Sequence, residues 1–177
     1  MNSQNKSVVL VPGCLLCPVF QVKYDSTKLA WREEIMKALV DAGVGIVQMP
    51  CPEALFRGYD EGLSRKPHGV RYYEKLPGFQ HHCKALAEAT LEQILSLEKH
   101  EIRVKAILGI ENSPTCAVNR IFTYGIGTEH RAGLFVEALM SLMPEKGLSV
   151  PIIGITKHKK SQEKEIRRLF TLLGNEK

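Results

Sequence analysis

No apolar stretch of this chain approaches the ~18 consecutive residues that a membrane span requires. No export signal is expected either. In "SVVLVPGCLLC" only Lys6 precedes the apolar run Val8 to Val11, which is shorter than a signal core. Repeats and low-complexity segments are absent. The five cysteines are odd in number and widely spread, which argues against the disulfide framework of a small exported domain. These absences lead us to expect a cytoplasmic protein with no membrane partner. The excess of 24 basic over 19 acidic residues, a net charge of +5, is concentrated partly in "KHKKSQEKEIRR", Lys157 to Arg168. Glu163 and Glu165 interrupt that run and no aromatic side chain interleaves it, so it lacks a stacking platform for bases. It reads as a solvated helix face, and no nucleic-acid partner is expected.

What remains is an ordinary soluble composition, 44% apolar and 24% charged, in 177 residues, enough for one domain with a proper core. The chain alternates between two periods. "VVLVP" (Val8 to Pro12), "GIVQMP" (Gly45 to Pro50), "VKAILGI" (Val104 to Ile110) and "VPIIGI" (Val150 to Ile155) are short, continuous apolar runs, as buried strands are. Between and after them lie helical patterns. "KLAWREEIMKALVDAG" carries Leu29, Ile35, Leu39 and Val40 at helical spacing, and Phe79 to His100 is marked by Leu86, Ala89, Ile94 and Leu97. His130 to Met143 and "SQEKEIRRLFTLLG" complete the set. Cys51 to Gly78 and the stretch from Ile110 to about Thr128 read as irregular; so long a loop in a compact domain is usually functional. Strand–helix alternation with non-alternating strands predicts a parallel sheet covered on both faces. The expected fold is a single-domain, three-layer α/β structure of the flavodoxin-like (Rossmann-like) kind. Its sheet has about four strands in the order 2-1-3-4, and residues 1–7 and 174–177 form disordered ends.

On that frame Cys14 lies just past the first strand, Cys51 directly follows the second, and Cys116, in "IENSPTCAVN", lies a few residues past the third. All three sit in loops at one edge of the sheet, where open α/β folds bind ligands. Three thiolates there could hold zinc, although structural zinc normally takes a fourth protein ligand, or an iron–sulfur cluster with one iron left open. Cys14 and Cys17 form one Cys-x-x-Cys pair, "CLLC". Pro18 and a long polar stretch follow it rather than the helix that a thioredoxin-like motif opens. The remaining alternative is that these cysteines pack as small apolar residues.

"GCLL", "QMPCPE" and "GIENSPTC", each following a strand, resemble the 2-thiouracil desulfurase family, and within it the subgroup of desulfidases. "FRG", "YEKLPGFQHHC" and "GIGTEHRAGLFVEAL" extend the similarity, in order, from about Val8 to Ile155. The resemblance implies a [4Fe–4S] cluster bound by Cys14, Cys51 and Cys116. It also implies a small thiolated substrate, such as a thiolated nucleobase, from which sulfide is withdrawn as water replaces sulfur on carbon, without net redox. Coordination by iron polarises a soft C=S group, so this chemistry is sensible. At the matching positions Glu53 is the expected general base or proton shuttle, and Ser113 the expected hydrogen-bond partner of substrate or bound sulfur. The bland roles are a turn cap or an Arg57 partner for Glu53, and a turn start for Ser113.

This chain departs from the family pattern at Cys17, where members often carry "LLG" or "LN" in place of "LLCP", and at Ala117, where many have glycine or aspartate. Cys17 therefore offers a second reading, in which it closes the fourth iron and the protein is a non-catalytic sensor or store of metal or cluster. Among other residues, Glu111 is expected to be a loop salt-bridge partner, and Cys83 to pack on its helix. Of His81 and His82, one can approach the site. "GIG" at Gly125 to Gly127, placed before a helix, is expected to be a turn. Arg71, Tyr72 and Tyr73 can line a ring-binding wall.

Overall fold

The computed structural model describes residues 6–17, 20, 30–58, 68–123, 125–156 and 159–173. Along the chain these form β1 (Ser7–Pro12), α1 (Gly13–Leu16), α2 (Ala30–Asp41), β2 (Gly45–Met49), α3 (Pro52–Arg57), α4 (Val70–Lys75) and α5 (Phe79–Lys99). Then come β3 (Arg103–Ile110), β4 (Ile121–Thr123), β5 (Gly127–Glu129), α6 (Leu134–Glu145), β6 (Ile152–Ile155) and α7 (Lys159–Leu173). The main sheet has the order β2-β1-β3-β6 with every pair parallel, which is the expected order.

Strand side chains alternate between two cores, and this makes the fold three-layered. On one face Val9, Val11, Ala106, Leu108, Ile110, Ile153 and Ile155 pack with Ile35 and Leu39 of α2 and Leu169 and Leu173 of α7. On the other, Leu10, Val104 and Ile107 meet Phe79, Leu91 and Ile94 of α5 and Phe135 and Leu139 of α6. Leu10 is fully buried between two neighbouring strands. Burial of such a side chain stabilises by roughly 1.5–3 kcal/mol. Both faces being apolar explains why the strands show no polar alternation in the sequence.

Several boundaries differ from the sequence reading. Ser7 already belongs to β1, while residues 1–5 and 174–177, also read as disordered ends, lie outside the described residues, as do Leu29, Lys157 and His158. The fourth strand begins at Ile152 rather than Val150. The buried stripe of α5 is Phe79, Cys83, Ala87, Leu91 and Ile94; Leu86 and Leu97 lie at its margin and Ala89 is exposed. In α2, Val40 is 66% exposed. The stretch read as one helix from His130 starts four residues later, at Leu134, with Gly133 as its N-cap. The stretches expected to be irregular contain the short helices α3 and α4 and an antiparallel hairpin, β4–β5. Among the described residues no helix is long and apolar enough to cross a membrane.

Candidate functional site

Each of the three sheet-edge cysteines is held by a different local device. After β1 the chain makes a single helical turn, closed by the Cys17 N–H on the Gly13 carbonyl at 2.8 Å, and Cys14 sits in that turn. The last carbonyls of so short a helix need external donors. The Arg32 guanidinium on α2 supplies them, donating to Leu15 O at 2.6 Å and Leu16 O at 2.8 Å. After β2, Cys51 is the N-cap of α3, its carbonyl taking the Leu55 N–H at 3.0 Å. Pro52 follows at the first helical position, where its missing N–H is harmless.

After β3 the chain turns through Asn112, whose φ is +66°, a left-handed conformation that asparagine tolerates. Ser113 Oγ then accepts the main-chain N–H groups of Thr115 (3.3 Å) and Cys116 (3.0 Å). The turn-starting role considered for Ser113 is therefore present in the structure, and the side chain remains half-buried. The turn folds back over its own strand, with the Cys116 carbonyl accepting from Ile110 at 2.9 Å. It also seats α6: the carbonyls of Pro114, Thr115 and Ala117 take the N–H groups of Leu134, Phe135, Val136 and Gly133. These are donors that a helix start leaves without internal partners. Two glycines make the approach possible. A Cβ on Gly133 would stand 2.5 Å from Thr115 C, and one on Gly109 2.4 Å from Cys116 O.

The three loops converge. Burial pushes the Cys116 thiol well above its ordinary value; the neighbouring Cys51 and Cys14 push it further, the Thr115 hydroxyl pulls it down, and Glu53 adds a smaller upward push. Cys17 is the half-buried C-cap of α1. Among the described residues no three His, Cys, Asp or Glu side chains lie close enough to share a single metal ion. The ligands of a cubane bind separate irons and stand farther apart than those of one ion. Cys51 and Cys14 both raise the proton affinity of Cys116, a repulsion that a cationic cluster would relieve, so the residues fit such a group.

Glu53, buried in the first turn of α3, faces this edge. Its carboxylate accepts from the Tyr73 hydroxyl at 2.8 Å on Oε2 and from the Thr115 hydroxyl at 3.0 Å on Oε1. Arg57, considered as its partner, instead reaches the Tyr72 hydroxyl and lies 5.0 Å from the centre of that ring. His82 is the histidine that approaches, with Nε2 at 3.2 Å from Pro52 O, while His81 is exposed. Cys83 packs in the core as expected, its thiol pushed up to about 12 by burial first and Glu53 second.

The residues considered for a ring-binding wall have other occupations. Tyr72 stacks on His68 at 3.7 Å, Tyr73 is fully buried against Phe79, and Arg71 joins Glu74 and Glu129 in ion pairs. Arg131 also pairs with Glu74, at 2.7 Å, tying α4 to the segment before α6. "GIG" does form a turn, but between β4 and β5 rather than before a helix. Glu111 differs from expectation. It is buried, accepting the N–H groups of Asn119 and Arg120 and, at 2.7 Å, the Asn119 side-chain amide. It thus organises the far half of the Cys116 loop through the main chain. Its carboxylate rests on Gly154 of β6, where a Cβ would come 1.8 Å from Oε1.

The sequence reading missed Arg32, Tyr73's bond to Glu53, Thr115 and the three glycines. Of these only Gly109 and Gly154 left a signal: "ILGI" and "IIGI" interrupt apolar runs, which marks a close backbone approach.

No family model matches the chain, and no solved structure matches it. It is similar to an uncharacterized protein of Methanocaldococcus jannaschii, 25% identical over 141 residues that cover 79% of this chain and 80% of the relative.

Proposed function

We propose that this chain is an iron–sulfur-dependent desulfidase of the 2-thiouracil desulfurase kind, removing sulfide from a small thiocarbonyl compound such as a thiolated nucleobase, in the cytoplasm. The observation that carries this reading is the placement of Cys14, Cys51 and Cys116 just past the ends of three adjacent parallel strands, with the Thr115–Glu53 hydrogen bond tying the Cys116 turn to the helix that Cys51 caps. These three thiolates would hold a [4Fe–4S] cluster. When bound, the cluster would supply an iron with an open position, a Lewis acid suited to a soft thiocarbonyl sulfur.

The chain's own residues supply the rest. Glu53, two positions from one ligand and oriented by hydroxyls on both oxygens, is placed to hold or take a proton from an entering water at Oε1 or Oε2. Ser113 accepts two N–H groups, so its own proton points away from them, to Thr115 Oγ1 or, in its place, to a substrate atom or bound sulfur. Burial of Glu53 and Cys116 excludes bulk water from one side of the site and strengthens each of these interactions.

The experiment is anaerobic reconstitution with iron and sulfide, quantified with visible absorption, for the wild type and single alanine variants at Cys14, Cys17, Cys51 and Cys116. The expected result is cluster loss at Cys14, Cys51 and Cys116 with Cys17 dispensable, followed by sulfide release from 2-thiouracil. No cluster in the wild type would end this reading. Loss at Cys17 as well would favour a closed, non-catalytic site.

A further inference from the structure

One hydroxyl stands between the carboxylate and the buried sulfur. Thr115 Oγ1 lies 3.0 Å from Glu53 Oε1, 3.5 Å from Cys116 Sγ and 3.4 Å from Ser113 Oγ, and Thr115 is 1% exposed. A threonine hydroxyl has one proton to give and two lone pairs to receive with. Given to Glu53, the shortest contact, that proton leaves both lone pairs toward Cys116 and Ser113, each of which has a proton to donate. Ser113 Oγ already accepts two main-chain N–H groups, so its hydrogen points away from them. The β-branched side chain has few rotamers, and the main chain at Thr115 is anchored by the N–H groups of Phe135 and Val136 on its carbonyl.

We propose that Thr115 is the positioning residue of this site, its hydroxyl bridging Glu53, Ser113 and the Cys116 sulfur and so fixing the carboxylate against the turn that carries Cys116. This rests on the proposed function for the purpose of the site, although not for the bridge itself. In the metal-free protein the bridge runs from the Cys116 S–H to Thr115 Oγ1 and from the Thr115 hydroxyl to Glu53. In the loaded protein the same hydroxyl, 3.5 Å from the sulfur, is within reach as its donor.

The test has two arms. In the metal-free protein, infrared spectra of the S–H stretch, with the Cys116 band assigned by its loss in Cys116→Ala, report the bridge directly. The band is expected at the lower wavenumber of a donating thiol, to rise to the unbonded position in Thr115→Val, and to stay in place in Thr115→Ser. Thr115→Ala provides a second hydroxyl-free variant should the valine not fold. In the loaded protein, a hydrogen bond to a ligand sulfur raises the reduction potential. Thr115→Val should therefore titrate at a more negative potential than the wild type, and Thr115→Ser at the wild-type value. A Cys116 band unmoved in Thr115→Val, or a potential unmoved in the loaded variant, would overturn the proposal. A band that moves as expected in a protein that takes up no cluster would uphold the bridge and end the desulfidase reading.

Discussion

At the scale of single residues the candidate chemistry depends on hydroxyl groups as much as on the cysteines. Glu53 was singled out by its place in "CPE", yet nothing near it in the chain announces that Tyr73 would donate to one of its oxygens and Thr115 to the other. Tyr73→Phe removes the 2.8 Å donor while preserving the ring's packing against Phe79. It is expected to destabilise the fold by about 1–3 kcal/mol in urea unfolding. It should also lower sulfide release more than it alters substrate affinity, because the carboxylate loses its orientation rather than its place. An unchanged urea midpoint would contradict this account of Tyr73. Ser113 was legible in part. Its position before a proline predicts the turn it forms, whereas its distance to Thr115 could be read only from the folded turn.

At the scale of elements the site is a junction between the Cys116 turn and the start of α6. The helical pattern in the sequence runs back to His130, because Arg131 and Ala132 are acceptable helix residues. The helix nonetheless starts at Leu134. There the carbonyls of Pro114 and Thr115 are waiting for its first N–H groups, and Gly133 lets the two backbones touch. Gly133→Ala would place a methyl 2.5 Å from Thr115 C and 2.9 Å from Cys116 N, contacts that only backbone movement can relieve. The expected loss is about 1–3 kcal/mol in stability, with weaker iron uptake because Cys116 moves with the turn. Iron uptake equal to wild type would mean that the turn tolerates the shift. The short helices α3 and α4 escaped the sequence reading for a related reason. Six residues cannot display a helical period, and helices of that length hold only through tertiary contacts such as the Arg71–Glu74–Arg131 cluster.

At the scale of the whole molecule, α7 is joined to the sheet by an acid whose carboxyl is held above its ordinary value. Burial raises the Glu165 carboxyl, the Thr156 N–H lowers it, Glu111 raises it and Arg120 lowers it, with a net upward shift. An acid bound more tightly to its proton in the folded state contributes stability below its unfolded value and loses it as pH rises through the folded one. Glu165→Gln keeps an oxygen for the Thr156 N–H, which now lies at 2.7 Å. The variant should therefore be the more stable protein at neutral pH, with the difference vanishing in acid. Unfolding curves recorded across that range check the sign, and a wild type that gained on the variant with rising pH would refute it. The sequence by itself determined the parallel sheet, its strand order and the arrival of Cys14, Cys51 and Cys116 at one edge. Apolar periodicity and position relative to a strand's end are local properties. Only the tertiary structure decided which groups hold Glu53, where α6 begins and why Gly109, Gly133 and Gly154 bear no side chain. Those are contacts between distant segments, such as Glu53 and Thr115 at a separation of 62 positions, and they exist only once the loops are packed against one another.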